Sequence, residues 1–238
     1  MHLLHRIFKM RALRKAAEQG DAGAECKLGM AYARGQGVTK DAVEAVTWFR
    51  KAAEQGCADG QDFLGVMYDL GEGVPKDYAE AVKWFRKAAE QGCVSAQCNL
   101  GAMYALGNGV PKDAAEAVRW FRKAAEQGDV GAQFNLGVKY SFGEGVPKDA
   151  AEAVRWFREA AEQGYASAQF NLGQKYRKGE GVPGNCIEAY KWFDLAAASG
   201  DEIYRGVRDG LGRSMTPEAV AEAQSLSRAW RPKKPRNE

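Results

Sequence analysis

The sequence predicts an all-α solenoid made of five 36-residue helix-turn-helix repeats with helical caps. Three sequence elements recur with a period of 36 residues. The segment Ala-Ala-Glu-Gln-Gly ends at Gly20, Gly56, Gly92, Gly128 and Gly164. The pair Trp-Phe begins at Trp48, Trp84, Trp120, Trp156 and Trp192, and the pair Leu-Gly begins at Leu28, Leu64, Leu100, Leu136 and Leu172. Such a fixed period is typical of solenoids, in which each repeat buries its apolar face against its neighbours.

The period divides the chain into eight segments. Residues 1–20 are predicted to form an N-terminal capping helix, the second half of a partial repeat, because Ala12 and Leu13 fall in the register of Trp-Phe. Five full repeats follow at residues 21–56, 57–92, 93–128, 129–164 and 165–200. Residues 201–230 form a C-terminal capping helix region, and residues 231–238 form a basic tail that we expect to be disordered.

The first helix of each repeat shows apolar residues four positions apart. In the fourth repeat these are Ala132, Leu136 and Tyr140, which share one helix face. The helix is predicted to end at a Gly-x-Gly sequence, where Gly143 can adopt the left-handed conformation that terminates helices.

The second helix is predicted to begin after Val-Pro-Lys-Asp. Asp149 and Glu152 have the spacing of a capping box, in which the aspartate accepts from helix N–H groups and the glutamate reaches back to the aspartate N–H. The equivalent pairs are Asp41/Glu44, Asp77/Glu80, Asp113/Glu116 and Asn185/Glu188. The valine, tryptophan and paired alanines that follow are predicted to be buried, with charged residues outside.

The last helix is predicted from a cap at Thr216, followed by Pro217 at the first helical position. It would end near Trp230 and cover the last repeat. Its loose apolar face consists of Val220, Ala223, Leu226 and Trp230.

The net charge of +3 comes entirely from the tail, which has four basic residues and one acidic residue. Because residues 1–230 are neutral overall, we predict no binding to nucleic acid or anionic lipid. No apolar run approaches the roughly 18 residues that a membrane span needs. The N-terminal apolar stretch is too short and interrupted for a secretory signal, so we predict a cytoplasmic protein, or a periplasmic or secreted one if an upstream signal precedes Met1. Salt-sensitive binding through the tail is an alternative.

The residues that many enzymes use are missing from the repeats. The two histidines, His2 and His5, lie in the N-terminal cap without a cluster of further metal ligands. The Gly-x-Gly sequences precede no Gly-Lys-Ser/Thr, which indicates turns and not phosphate-binding loops. The five cysteines do not recur regularly and are predicted to be reduced thiols. We therefore predict no enzyme activity and no cofactor or metal.

The repeat resembles the Sel-one-like repeats, a branch of the tetratricopeptide (TPR-like) superfamily. The shared pattern, A-x-x-x-L-G-x-x-Y-x-x-G-x-G-V-x-x-D-x-x-x-A-x-x-W-x-x-x-A-A-x-x-G, covers about residues 21–200. The resemblance implies a right-handed α/α superhelix that serves as an adaptor or scaffold, mostly in bacterial proteins. Some secreted, cysteine-rich relatives are linked to β-lactam binding, so a β-lactam-binding or hydrolase-like protein is the alternative function. The absence of their regular cysteine pair argues against that alternative.

One face of the first helix varies between repeats that are otherwise nearly identical. The resemblance places the first helices along a concave groove, so we predict that this face binds a protein or peptide partner. The middle of the series is apolar and its ends are basic, which suits a partner with acidic groups. The predicted partner-binding residues are Leu70, Leu106, Phe134, Val138, Phe142, Phe170, Arg177 and Lys178.

Some of these positions also fit a purely structural role. Phe134 and Phe170 could equally complete the core between repeats, whereas Leu70, Leu106 and Phe142, near helix ends, are predicted to be exposed. The asparagines before Leu-Gly in three repeats could bond a bound peptide or neighbouring backbone, and we favour the second. The capped ends predict a monomer.

Overall fold

The computed structural model describes residues 2–233, without the side chains of residues 2–9. It divides the chain into two compact units, Met1–Asp113 and Ala114–Glu238. The helices of the first unit are α1 His2–Glu18, α2 Ala22–Arg34, α3 Ala42–Glu54, α4 Ala58–Leu70, α5 Tyr78–Glu90 and α6 Val94–Leu106. Those of the second are α7 Ala114–Glu126, α8 Val130–Phe142, α9 Ala150–Glu162, α10 Ala166–Lys178, α11 Cys186–Ala197, α12 Glu202–Gly212 and α13 Pro217–Ala229.

The predicted all-α repeat fold is confirmed, since the described part of the chain contains helices and no strand. Each helix from α1 to α5 and from α7 to α11 packs against the next helix along the chain, and α13 packs on α11. Each first helix except α12 ends at a glycine with left-handed backbone, namely Gly35, Gly71, Gly107, Gly143 and Gly179. The recurring glycines thus set the helix boundaries as predicted.

The cap of the second helix is confirmed, but the glutamate half of the capping box is not. The Asp149 Oδ1 atom accepts from the N–H groups of Ala151 and Glu152 at 2.9 and 3.0 Å. The Asp149 N–H donates instead to the carbonyl of Tyr140, at 3.0 Å, which ties the start of α9 to α8. Glu152 pairs with Arg155 at 2.8 Å on the helix surface. Because the Asp149 N–H already donates to a carbonyl of α8, Glu152 is not needed to cap it and forms an ion pair with Arg155 on the surface.

The Leu-Gly and Trp-Phe elements meet inside each helix pair. In the second unit, the ring of Phe157 on α9 lies directly over Gly137 on α8, where an added Cβ atom would be 2.5 Å from the ring carbon Cδ1. Phe157 is 1% exposed and Leu136 is fully buried. The glycine is therefore required by the close approach of the two helices, which the leucine and the aromatic ring fill.

A chain of amide hydrogen bonds links successive repeats through one buried glutamine per repeat and gives the glutamine of Ala-Ala-Glu-Gln-Gly a structural role. Gln163 donates its side-chain N–H to Gln133 Oε1 at 2.8 Å, and Gln133 donates to the carbonyl of Ala125 at 3.2 Å. In the first unit Gln91 and Gln61 repeat the contact at 2.7 Å. The only signal of this network in the sequence is the recurrence of glutamine at two positions, which by itself does not predict the hydrogen bonds.

In the first repeat, a glutamate replaces one of these glutamines. Glu25 is 3% exposed and accepts from Gln55 Nε2 at 2.6 Å. Burial raises the pKa of the Glu25 carboxyl, against smaller opposing effects of Lys51 and of the Gln55 bond. The charged carboxylate therefore destabilises the folded state above this raised pKa.

We expect Glu25→Gln to stabilise the protein by about 1 kcal/mol at pH 7.5, because the amide restores the network without a buried charge. The folded-state pKa is raised, so the advantage of the variant shrinks as the pH falls and Glu25 becomes protonated. Urea unfolding of both proteins at pH 7.5 and pH 4.5 measures the difference. Gln61→Glu, at the equivalent position, is the reverse control, and an advantage equal at both pH values would contradict the explanation.

The two ends differ in how closely they follow the prediction. Helix α1 contributes Leu13 and Ala17 to a core cluster with Leu28 and Trp48 of the first repeat. At the other end lies α12, a helix that the sequence did not predict and that forms part of the C-terminal cap by packing on α11. Tyr204 of α12 stacks on Phe170 with ring centroids 4.7 Å apart.

Helix α13 begins at Thr216 and Pro217 as predicted, with the Thr216 hydroxyl accepting from the N–H of Ala219 at 3.3 Å. The predicted apolar face is wrong at Leu226, which is 39% exposed. Ser227 is buried in its place, because its hydroxyl donates to Asp194 Oδ2 at 2.6 Å.

The predicted tail is described only at residues 231–233. Its Lys233 donates a backbone bond of 2.7 Å to the carbonyl of Glu162 and pairs with the Glu162 carboxylate. Residues 234–238 lie outside the described part of the chain, and so do the side chains of His2 and His5.

Candidate functional site

The last residue of each first helix from α2 to α10 occupies the same repeat position and points to solvent. In the first unit, Leu70 at the end of α4 is 55% exposed and Leu106 at the end of α6 is 68% exposed. In the second unit, Phe142 at the end of α8 is 72% exposed. The predicted exposure of these three side chains is confirmed. Large apolar side chains exposed at one recurring position are typical of an interaction surface.

A cleft of about 600 Å³ lies between α8 and α10 in the second unit; we call it the α8–α10 cleft. Ala150, at the start of α9, and Phe157 are among its lining residues. Its other lining residues include Val138, Ser141, Phe142, Lys148, Phe170, Gln174, Lys175, Lys178 and Glu180. This volume falls within the range of pockets that bind small ligands or side chains of a partner.

Three lysines and a single carboxylate, Glu180, line the cleft. Lys175 Nζ lies 3.0 Å from Glu180 Oε2, and Lys178 Nζ lies 3.9 Å from Glu180 Oε1. The Lys175 bond, then the charges of Lys175, Lys178 and Lys148, lower the pKa of Glu180. The cleft lining therefore carries more positive than negative charge.

Two polar atoms beside the cleft lack hydrogen-bond partners. The Ser141 hydroxyl and the Gln174 side-chain oxygen are both shielded from solvent and unpaired. Shielded polar groups in folded proteins are nearly always hydrogen-bonded, so these two atoms mark a place where a ligand could supply the missing bonds. Both side chains belong to the repeat face that the sequence predicted to vary.

The structure brings four of the predicted partner-binding residues together. Val138, Phe142, Phe170 and Lys178 all line the α8–α10 cleft. Arg177 is exposed outside the cleft. Lys148 and Lys175 also line it but are not among the residues predicted to bind a partner, because both recur in other repeats and resemble scaffold positions.

Phe134 is placed in the core between repeats. Its ring packs on Phe157 and Tyr165 with centroids 5.9 and 5.3 Å away. Phe170 has both roles, since it packs on Phe193 at 5.5 Å and also lines the cleft. The structural role that the sequence left open thus holds for Phe134 and partly for Phe170.

The asparagines before Leu-Gly bond within the protein at two positions. Asn171 Nδ2 donates to the carbonyl of Ser167 at 2.8 Å, as we favoured. Asn99 Nδ2 donates to Asp62 Oδ1 at 3.0 Å, and Ser95 Oγ donates to Asp62 Oδ2 at 2.5 Å. Burial raises the pKa of Asp62, which stands where the fourth and fifth repeats carry phenylalanine.

The cysteines are free thiols with different environments. Cys26 is 6% exposed and packs beside Cys57, whereas Cys186 is exposed. Burial raises the pKa of Cys26 to about 12, which keeps it in the unreactive thiol form at neutral pH. The described residues show no group of three or more histidine, cysteine or acidic side chains that could hold a metal ion. Within residues 2–233, no helix combines the length and apolar character that crossing a bilayer requires.

Stacked helix pairs with a variable exposed face define a helical repeat protein. The sequence model of the Sel1 repeat matches residues 13–21, 22–57, 58–93, 94–129, 130–165 and 166–201. The chain therefore belongs to the Sel1 repeat family, and the resemblance seen in the sequence is confirmed. Members of this family are generally protein-interaction scaffolds.

Solved structures from bacteria share the fold. The chain is 42% identical, with a TM-score of 0.83, to c5321, a protective antigen of uropathogenic Escherichia coli strains that displays an SLR fold. The match covers 91% of this chain but 47% of c5321, so the chain spans about half the length of that relative. A Sel1 repeat protein from Oxalobacter formigenes is 34% identical with a TM-score of 0.75, covering 93% of this chain and 98% of its own. A comparison with curated proteins found no match.

Proposed function

We propose that this protein is a scaffold that binds a protein or peptide partner on the faces formed by the first helices of its repeats. The observation that carries the proposal is the exposure of Leu70, Leu106 and Phe142 at one recurring position of a family of interaction scaffolds. Solvent exposure of these side chains is unfavourable, and a partner that covers them gains the free energy of burying apolar surface.

The α8–α10 cleft supports the proposal independently of the exposed residues in the first unit. An exposed aromatic ring stands beside a concave site lined by both apolar and basic residues. Binding energy in protein interfaces is concentrated in a few such aromatic anchors. The β-lactam-binding alternative stays a hypothesis that no structural observation favours.

Affinity capture with quantitative mass spectrometry tests the proposal. The immobilised protein is compared with the double variant Leu106→Glu/Phe142→Glu, which places a charge on an exposed apolar residue in each unit. We expect the recovery of a specific partner to fall at least about tenfold, because buried unpaired charge opposes binding.

A matched control distinguishes the first-helix faces from other exposed apolar residues of the protein. Val43→Glu/Ile203→Glu adds the same charges to residues that are 63% and 70% exposed on α3 and α12. The partner should be retained by this control. Equal recovery by both double variants would reject the first-helix faces as the binding surface.

A further inference from the structure

We propose that the α8–α10 cleft recognises a partner segment in which a bulky apolar side chain lies next to two or more carboxylates. This inference rests on the proposed function and names the chemistry of the partner at one site. The apolar part of the cleft would bind one group of the partner, and the basic part would bind another.

The apolar part of the cleft accepts the bulky side chain. Phe142 is 72% exposed, and Val138, Phe170 and the buried Phe157 line the same cleft. An aliphatic or aromatic side chain placed here would contact Phe142 from the side that now faces solvent. The aromatic rings favour such a contact because they offer large apolar area with little side-chain freedom to lose.

The basic part of the cleft accepts the carboxylates. Lys148, Lys175 and Lys178 line the cleft together with Glu180, which pairs with Lys175 and Lys178, so three positive charges face one negative charge. The Lys175 bond belongs to the scaffold, because Lys139 and Glu144 form the equivalent pair one repeat earlier, at 2.7 Å. The remaining positive charge therefore lies on Lys148 and Lys178, and carboxylates of a partner would balance it.

Lys178 distinguishes this cleft from the three preceding repeats, while Arg34 gives the first repeat a positive charge at the same position. The equivalent positions hold Leu70, Leu106 and Phe142 in the three preceding repeats. Lys178 therefore sets a positive charge next to the last exposed apolar residue of the series. The unpaired Gln174 oxygen and Ser141 hydroxyl, after rotation of their side chains, could accept N–H groups of the bound segment.

Fluorescence anisotropy with two labelled peptides tests the inference. The acidic probe is Gly-Glu-Glu-Leu-Phe-Glu-Glu-Gly, and the neutral probe has glutamine in place of each glutamate. At low ionic strength we expect the acidic probe to bind at least about fivefold more tightly, and added salt to reduce this difference. Lys148→Gln/Lys178→Gln should remove the preference, whereas Glu180→Gln should strengthen binding of the acidic probe about twofold by freeing Lys175 and Lys178.

Two further variants serve as controls. Arg177→Gln removes the same charge at the neighbouring exposed residue outside the cleft and should change the affinity less than twofold. Phe142→Ala should weaken both probes because both present leucine and phenylalanine. Circular dichroism confirms that each variant is folded.

Equal affinity for the two probes, no binding of either probe, or an unchanged preference in Lys148→Gln/Lys178→Gln would overturn the inference. In each of these cases the proposed function still stands if the partner captured by the wild type is lost with Leu106→Glu/Phe142→Glu. Both proposals would be rejected if Leu106→Glu/Phe142→Glu kept the partner and Lys148→Gln/Lys178→Gln kept the preference for the acidic probe.

Discussion

Gly109→Ala should lower the stability of the protein by about 3–5 kcal/mol, since two unfavourable effects combine at this position. Gly109 has φ +69°, in the left-handed region that residues with a Cβ atom avoid. An added Cβ atom would also lie 2.2 Å from the carbonyl oxygen of Tyr78 and 2.4 Å from its carbon. This clash is with backbone atoms at the start of α5, which cannot turn away as a flexible side chain could.

A second glycine in the same unit separates these two effects. Gly92 has φ +91°, but an alanine Cβ there would meet no atom within 4 Å. Gly92→Ala should therefore lower the stability of the protein only by the cost of the left-handed backbone, about 1–2 kcal/mol. Thermal unfolding followed by circular dichroism compares the two variants. Equal losses would show that close packing between repeats contributes nothing at Gly109.

Phe157→Ala should destabilise the protein by about 3–5 kcal/mol, because it removes a fully buried ring and leaves a cavity over Gly137. The ring is 1% exposed, and Phe157 also lines the α8–α10 cleft. Urea unfolding measures the loss. The urea concentration at the unfolding midpoint should be lower than in the wild type.

Phe142→Ala is the matched control at the rim of the same cleft. Phe142 is 72% exposed, so its truncation should change the stability by less than about 0.5 kcal/mol. The two phenylalanines thus separate folding from binding: Phe157 stabilises the core, and Phe142 is available to a partner. A large loss of stability in Phe142→Ala would contradict its assignment to the binding surface.

The sequence by itself determined the repeat, the helix pairs and most of the core. The 36-residue period places Leu136 and Phe157 at buried positions and ends each first helix from α2 to α10 at glycine, and the structure agrees. These features follow from local chemistry, because helix caps, left-handed glycines and apolar periodicity are properties of neighbouring residues. The recurrence of the pattern made them unambiguous.

Only the tertiary structure decided which variable residues share a site. Phe134 and Phe142 both belong to the variable face, yet one packs between Phe157 and Tyr165 and the other faces solvent. Helical spacing gives the direction of a side chain but not the position of the neighbouring helix that covers it. The grouping of Lys148 with Lys178 has the same origin, because residues thirty positions apart meet only when successive repeats stack.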